Sequence, residues 1–150
     1  MGNTVAVVLG LALLASTVVI HYELLRVTAR LTPALSLPPR LRIVIVIAGV
    51  FLSHILEICL YAIAYGLMQL HVELGSIAGE FQGGPLDFFY FSVTTYTTLG
   101  VGDLFPRGPL RIVAGIEALN GFVLIAWSAS FTYLSMEKFW DEDRRTPSLS

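Results

Sequence analysis

Apolar residues run almost unbroken through three stretches of the chain, roughly 4–25, 43–70 and 110–134, and polar residues collect between them. A helix of about 20 mostly apolar residues crosses the hydrocarbon of a bilayer, so each stretch predicts a transmembrane helix. The first has no basic residue ahead of it and no clear cleavage site behind it, and is read as a retained helix rather than a secretory leader. A fourth apolar and aromatic stretch, residues 85–96, is too short at about 12 residues to span and reaches only halfway as a helix. Pro85 and Asp87 suit its first turn, because proline has no N–H to lose there and an acid complements the positive helix end. Between the first two spans, Pro33, Pro38 and Pro39 predict broken helix.

Composition agrees with a bilayer. Hydrophobic residues make up 55% of the chain and charged ones 13%, with a mean hydropathy of +0.76, too apolar for a soluble domain of 150 residues. A net charge of −2 offers no basic face to a phosphate backbone, which argues against nucleic acid as a partner. The lone Cys59 reads as a small hydrophobe within an apolar run.

Arg26, Arg30, Arg40 and Arg42 gather between the first two spans, and basic residues beside membrane helices stay on the cytoplasmic side. That puts the N-terminus outside and the C-terminus, with Lys138, Arg144 and Arg145, in the cytoplasm. Residues 71–109 then face out, and Glu73, Glu80, Asp87 and Asp103 outnumber Arg107 there, a balance that concentrates cations.

Directly after the half-span stretch comes Thr97-Thr98-Leu99-Gly100-Val101-Gly102-Asp103. Glycine accepts positive φ without a Cβ clash, so alternating it with Leu99 and Val101 can turn successive carbonyls toward one side. The Thr98 hydroxyl would add an oxygen at the inner end. Non-helical backbone at membrane depth is tolerated only where protein buries it or it lines a water-filled path.

Residues 91–106, from Phe91-Ser92-Val93 through the glycine segment to Leu104-Phe105-Pro106, resemble the pore signature of potassium channels, whose filters replace an ion's hydration shell with rings of backbone carbonyls. The resemblance extends over about 43–134 and is similar both to small prokaryotic two-helix pore proteins and to one pore unit of two-pore-domain channels. It implies an all-α membrane fold with three transmembrane helices and a re-entrant pore helix and filter loop between the second and third. The parts are an N-terminal transmembrane helix 1–25, outside the family pattern, a cytoplasmic Arg/Pro-rich linker 26–42, the pore domain 43–134 and a short cytoplasmic tail 135–150.

By the same resemblance Thr98, Leu99, Gly100, Val101 and Gly102 form the filter and bind permeant K+, with no other cofactor. Tyr96, Thr97, Asp103 and Glu117 support it, and Gly121 falls on the inner-helix hinge. Most of the family has an aromatic residue where Val101 stands, and Tyr96 is expected to fill part of the space this leaves. The implied assembly is a homotetramer among membrane lipids, located in a prokaryotic inner membrane. The implied function is a potassium-selective, non-enzymatic ion channel; a weakly selective or nonselective cation channel is the alternative.

Several of these residues have plainer readings. Gly121 is equally a small residue at a helix crossing, and Gly115 reads as packing. His54 and Glu57 stand one turn apart within the second span and Glu117 within the third, and ionisable groups at that depth face protein, water or each other. Glu117 either stays neutral and braces the half-span helix through hydroxyls or ionises against cavity water. His21 and Glu23 are expected to do no more than reach the membrane interface. Gly100-Val101-Gly102-Asp103 also resembles the Gly-x-Gly-Asp motif of intramembrane aspartyl proteases, but no second aspartate lies in a spanning stretch to serve as its partner. A non-conducting membrane subunit is the remaining reading.

Overall fold

A computed structural model describes residues 1–145. Its elements are α1 (Gly2–Ala34), α2 (Pro39–Leu70), β1 (Ser76–Gly79), α3 (Pro85–Tyr96), β2 (Leu104–Arg107) and α4 (Leu110–Arg145). α1, α2 and α4 are each long and apolar enough to cross a membrane, with mean hydropathy of 2.2, 2.5 and 1.7 over their most apolar windows. The molecule is an all-α membrane protein, as the apolar pattern predicts, with one small ribbon added.

The helices outrun their predicted limits. α1 runs one residue past Pro33 and ends at Ala34, so the break that the prolines predict falls at residues 35–38. A proline in a helix's last turn removes one backbone bond at most, and Thr32 Oγ1 donates to the Thr28 carbonyl at 2.7 Å. Pro39 opens α2 at a position where its missing N–H has no helical partner in any case. Within the stretch 26–42, residues 35–38 join the two helices. α4 likewise continues beyond Leu134 to Arg145, so most of the expected tail is helix; residues 146–150 lie outside the described residues.

α1 lies against both α2 and α4. Its buried positions are Ala6, Gly10, Leu13, Thr17, His21, Leu25, Thr28 and Thr32, spaced by three or four and so forming one stripe. Small residues allow the close approach: a Cβ on Gly10 would meet the Ile116 side chain, and one on Gly49 would overlap the Thr28 hydroxyl.

The ribbon closes the segment between α2 and α4. β1 and β2 are antiparallel, pairing Ser76 with Arg107 and Gly79 with Leu104. Gln69 Oε1 accepts the Ile77 N–H at 2.7 Å and ties the ribbon to the end of α2. Everything from Glu80 to Asp103 is therefore an excursion whose two ends are held together, with the Glu80 N–H donating to the Asp103 carbonyl at 3.0 Å.

α3 occupies that excursion and packs into the angle of α2 and α4. Asp87 Oδ2 accepts the Gln82 and Gly84 N–H groups at 2.9 and 3.1 Å and so seals the helix start. Phe88 and Phe91 enter a core with Tyr61, Tyr65, Met68 and Val113, and the Tyr65 and Phe91 rings meet edge to face at 5.0 Å.

Candidate functional site: the end of α3 and the segment after it

At Thr98, Gly100 and Gly102 the backbone φ is 58°, 54° and 91°, whereas the intervening Leu99 and Val101 keep negative φ. Every second residue is thus left-handed, the alternation that turns successive carbonyls toward the same side. Glycine adopts it freely. Thr98 carries a Cβ into the same region, at a cost of roughly 1–2 kcal/mol, and the residue is held there with its N–H donating to the Thr95 carbonyl at 3.0 Å. Gly100 N–H donates to the Thr94 carbonyl at 3.2 Å. The segment as a whole is uncovered: Leu99 is 67% and Val101 59% exposed.

Thr97 is exposed, its hydroxyl donating back to the Val93 carbonyl at 2.7 Å. Asp103 Oδ1 accepts the Leu104 N–H at 3.0 Å, and the Tyr90 hydroxyl lies beside the same carboxylate. Tyr96, the last residue of α3, is 1% exposed. Its hydroxyl reaches α2, where it donates to Glu57 and lies 2.8 Å from His54 Nδ1. An amphipathic aromatic at membrane depth needs a polar partner, and α2 provides one.

Gly121 lies where α3 ends. A Cβ there would overlap the Tyr96 carbonyl oxygen, so the absence of a side chain is what lets α4 meet the end of α3. The helix runs unbroken through this point. Nothing lies within 4 Å of a Cβ built on Gly115, which leaves that glycine without a packing role inside the chain.

Glu117 is fully buried and accepts two hydroxyls, Ser92 Oγ of α3 at 2.5 Å and the Tyr65 hydroxyl of α2. Next to it Asn120 Nδ2 donates to Thr17 Oγ1 at 2.7 Å and to the Tyr61 hydroxyl at 3.3 Å, joining α4 to α1 and α2.

His21 overturns its sequence reading. It is fully buried, not at an interface, and its Nδ1 lies 2.8 Å from Glu57 Oε1. Ser53 Oγ donates to the same oxygen at 2.7 Å, and Ser128 Oγ lies 3.2 Å from His21 Nε2 and 3.0 Å from His54 Nε2. Glu23 does remain exposed, paired with Arg26 at 2.8 Å. Two of these groups, His54 and Glu57, were visible as ionisable residues one turn apart. The missed partner had a signal of its own: Thr17, His21, Thr28 and Thr32 recur at helical spacing in an otherwise apolar helix, the mark of a buried polar stripe.

Residues 43–138 match a family model described as an ion channel. The chain belongs to that ion channel family, and the resemblance to potassium channel pore domains read from its residues holds. Over 84 residues, 55% of this chain and 13% of the relative, it is 29% identical to the A-type voltage-gated potassium channel KCND3 of Homo sapiens. It is 36% identical over 77 residues, 49% of this chain and 26% of the relative, to the inward rectifier potassium channel Kirbac3.1 of Paramagnetospirillum magnetotacticum. Over 112 residues, 69% of this chain and 21% of the relative, it is 29% identical to the potassium voltage-gated channel protein shk-1 of Caenorhabditis elegans. The chain thus spans about a quarter or less of the length of these curated relatives. No solved structure gives a significant match. Family membership makes residues 43–138 an ion channel domain.

Proposed function

We propose that four copies of this chain surround a common axis and pass K+ through a filter made from Thr98, Leu99, Gly100, Val101 and Gly102. The observation that carries the reading is the alternation of left-handed φ at 98, 100 and 102 directly after a buried half-length helix. Gly121 lies eleven residues into α4, about 16 Å along it, so α3 ends near the middle of a bilayer some 30 Å thick. α3 is then a re-entrant pore helix whose negative C-terminal end points at the ion path. One chain supplies one strand of carbonyls, and a closed ring of them takes four. The exposure of Leu99 and Val101 supports this, because neighbouring copies would cover them.

In this assembly the arginines between α1 and α2 are cytoplasmic, the N-terminus is outside, and the ribbon with its acidic neighbours forms the ion entrance. Tyr96, Thr97, Asp103 and Glu117 hold the filter's surroundings. Gly121 serves first as the seat of α3, with a hinge role at the same point open to α4. A prokaryotic inner membrane suits the small pore unit.

The test is reconstitution in liposomes under opposed K+ and Na+ gradients. A reversal potential favouring K+ is expected, and Val101→Tyr should strengthen the preference by adding a brace behind the filter. A reversal near zero overturns selectivity and leaves a nonselective cation channel, the second reading, which the short Val101 side chain favours. Native mass spectrometry is expected to find a tetramer; monomers or dimers alone in a conducting preparation would refute the ring.

A further inference from the structure

The cluster of His21, His54 and Glu57 lies outside residues 98–102 and gathers two imidazoles and a carboxylate at one point. Both imidazoles aim Nε2 at one atom, Ser128 Oγ, at 3.2 and 3.0 Å. Both aim Nδ1 at one carboxylate: His21 at Glu57 Oε1, 2.8 Å away, and His54 at Glu57 Oε2, 3.4 Å away. A hydroxyl has one hydrogen and two lone pairs, so Ser128 can accept an Nε2–H from each ring and thereby turn both Nδ1 lone pairs toward Glu57. In that tautomer two nitrogen donors and a carboxylate converge on one point, the donor set a metal ion takes up. Without an ion, Ser53 Oγ, 2.9 Å from His21 Nδ1, and the Tyr96 hydroxyl, 2.8 Å from His54 Nδ1, complete the network.

We infer that His21 Nδ1, His54 Nδ1 and a Glu57 oxygen form an intramembrane binding site for a divalent transition-metal ion of the Zn2+ class, with Ser128 orienting both imidazoles from behind. The three ligand atoms already lie within 4.8 Å of one another. Ligands about 2.0–2.1 Å from a tetrahedral zinc stand about 3.4 Å apart, so modest side-chain adjustment encloses the ion. Two nitrogens and one oxygen suit zinc or cobalt rather than the hard ions calcium and magnesium, which take oxygen alone. A hydroxyl accepting the far N–H of each ligating histidine is the arrangement that fixes tautomer and ring orientation at metal sites. His21 and Glu57 are fully buried, but the His54 side chain is 15% exposed and lines a cavity of about 600 Å3 with Tyr96, Thr97 and Ser128, which offers the ion an approach. The Tyr96 hydroxyl, 2.8 Å from His54 Nδ1, is positioned for the fourth coordination place.

The ligands come from α1 and α2, and Tyr96 is the last residue of α3, so a bound ion clamps the N-terminal helix to the end of the helix that precedes Thr97 and Thr98. On the reading that 98–102 is a filter, loading the site changes conduction, and a chelator reverses the change.

Binding is tested first, without reference to conduction, by adding Co2+ to the full chain with any affinity tag removed. One Co2+ per chain with the intense visible absorption of tetrahedral nitrogen and oxygen coordination is expected, displaced by Zn2+. His54→Gln and Glu57→Gln, each checked to elute as the same assembled species, should abolish the band. Ser128→Ala should weaken binding by about 10–100-fold, the usual effect of losing an orienting partner. His71→Gln, at an exposed residue outside the cluster, should leave it intact. Failure of the unaltered protein to take up Co2+, or a band that survives in both ligand variants, overturns the site. Ion flux in liposomes with and without Zn2+ is measured separately: stoichiometric binding in a protein that never conducts refutes the channel reading and leaves the site standing.

Discussion

Two buried glutamates hold α3, and they are held in opposite ways. Glu117 of α4 meets Ser92 and Tyr65, both neutral hydroxyls, whereas Glu57 of α2 meets two imidazoles as well as the hydroxyls of Ser53 and Tyr96. Ser92 and Tyr96 are four residues apart and so share one face of α3, which makes the two acids a pair of grips on the same helix, one at its middle and one at its end. An acid surrounded by hydroxyls needs no compensating charge, and an uncharged group of the same shape can take its place. An acid facing two imidazoles is one member of a mutual arrangement, and removing it strands every other member. Equal burial thus gives unequal dependence on charge.

The largest expected effect comes from breaking the second arrangement. Glu57→Ala leaves His21, His54, Ser53 and Tyr96 without their common acceptor and should destabilise the folded chain by about 3–5 kcal/mol, as removing one partner of a buried ionic group does. Thermal unfolding in detergent, followed with the yield of assembled protein, measures it. Glu117→Ala should cost less, about 1–3 kcal/mol, because only two hydroxyls lose a partner. Equal losses in the two alanine variants would erase the contrast between the sites.

Gly121→Val separates the grips mechanically. The added side chain drives into the Tyr96 carbonyl and should cost about 1–3 kcal/mol through overpacking, with the Tyr96 contact to Glu57 lost first. Gly115→Ala, with nothing nearby to strike, should stay within about 0.5 kcal/mol in the same unfolding assay.

The smallest effect is expected of Glu117→Gln. Its carbonyl still accepts a hydroxyl, so stability should change by less than about 1 kcal/mol and single-channel conductance should remain near its original value across pH. A large fall in conductance confined to high pH would mean that Glu117 works as an ionised group facing cavity water, and the contrast would then lie in solvent access rather than in partners.

Much of the architecture was legible because it depends on local pattern. Length and apolarity decide that three helices span, since hydrocarbon accepts only segments that satisfy their own backbone groups. The half-length aromatic stretch and the alternating glycines are equally local, and the left-handed φ at Gly100 and Gly102 follows from what glycine alone permits. Helix ends were less legible, because the cost of Pro33 depends on how close it stands to a terminus that packing sets. The β1–β2 ribbon was not legible at all, since its strands pair across 24 intervening residues that the sequence does not visibly bring together.

By itself, then, the sequence determined which segments enter the membrane and which backbone can turn its carbonyls to one side, because both are properties of consecutive residues in a known solvent. Only the tertiary structure decided where the polar side chains go. His21 looked like an interface residue, and the partners of the Tyr96 hydroxyl were not visible at all, until α1, α2 and α4 came together around the end of α3. In hydrocarbon a buried polar group must find a partner, but the chain does not say which helix will bring it; that choice belongs to the packing of Gly10 on Ile116, Gly49 on Thr28 and Gly121 on Tyr96, contacts between residues far apart in sequence.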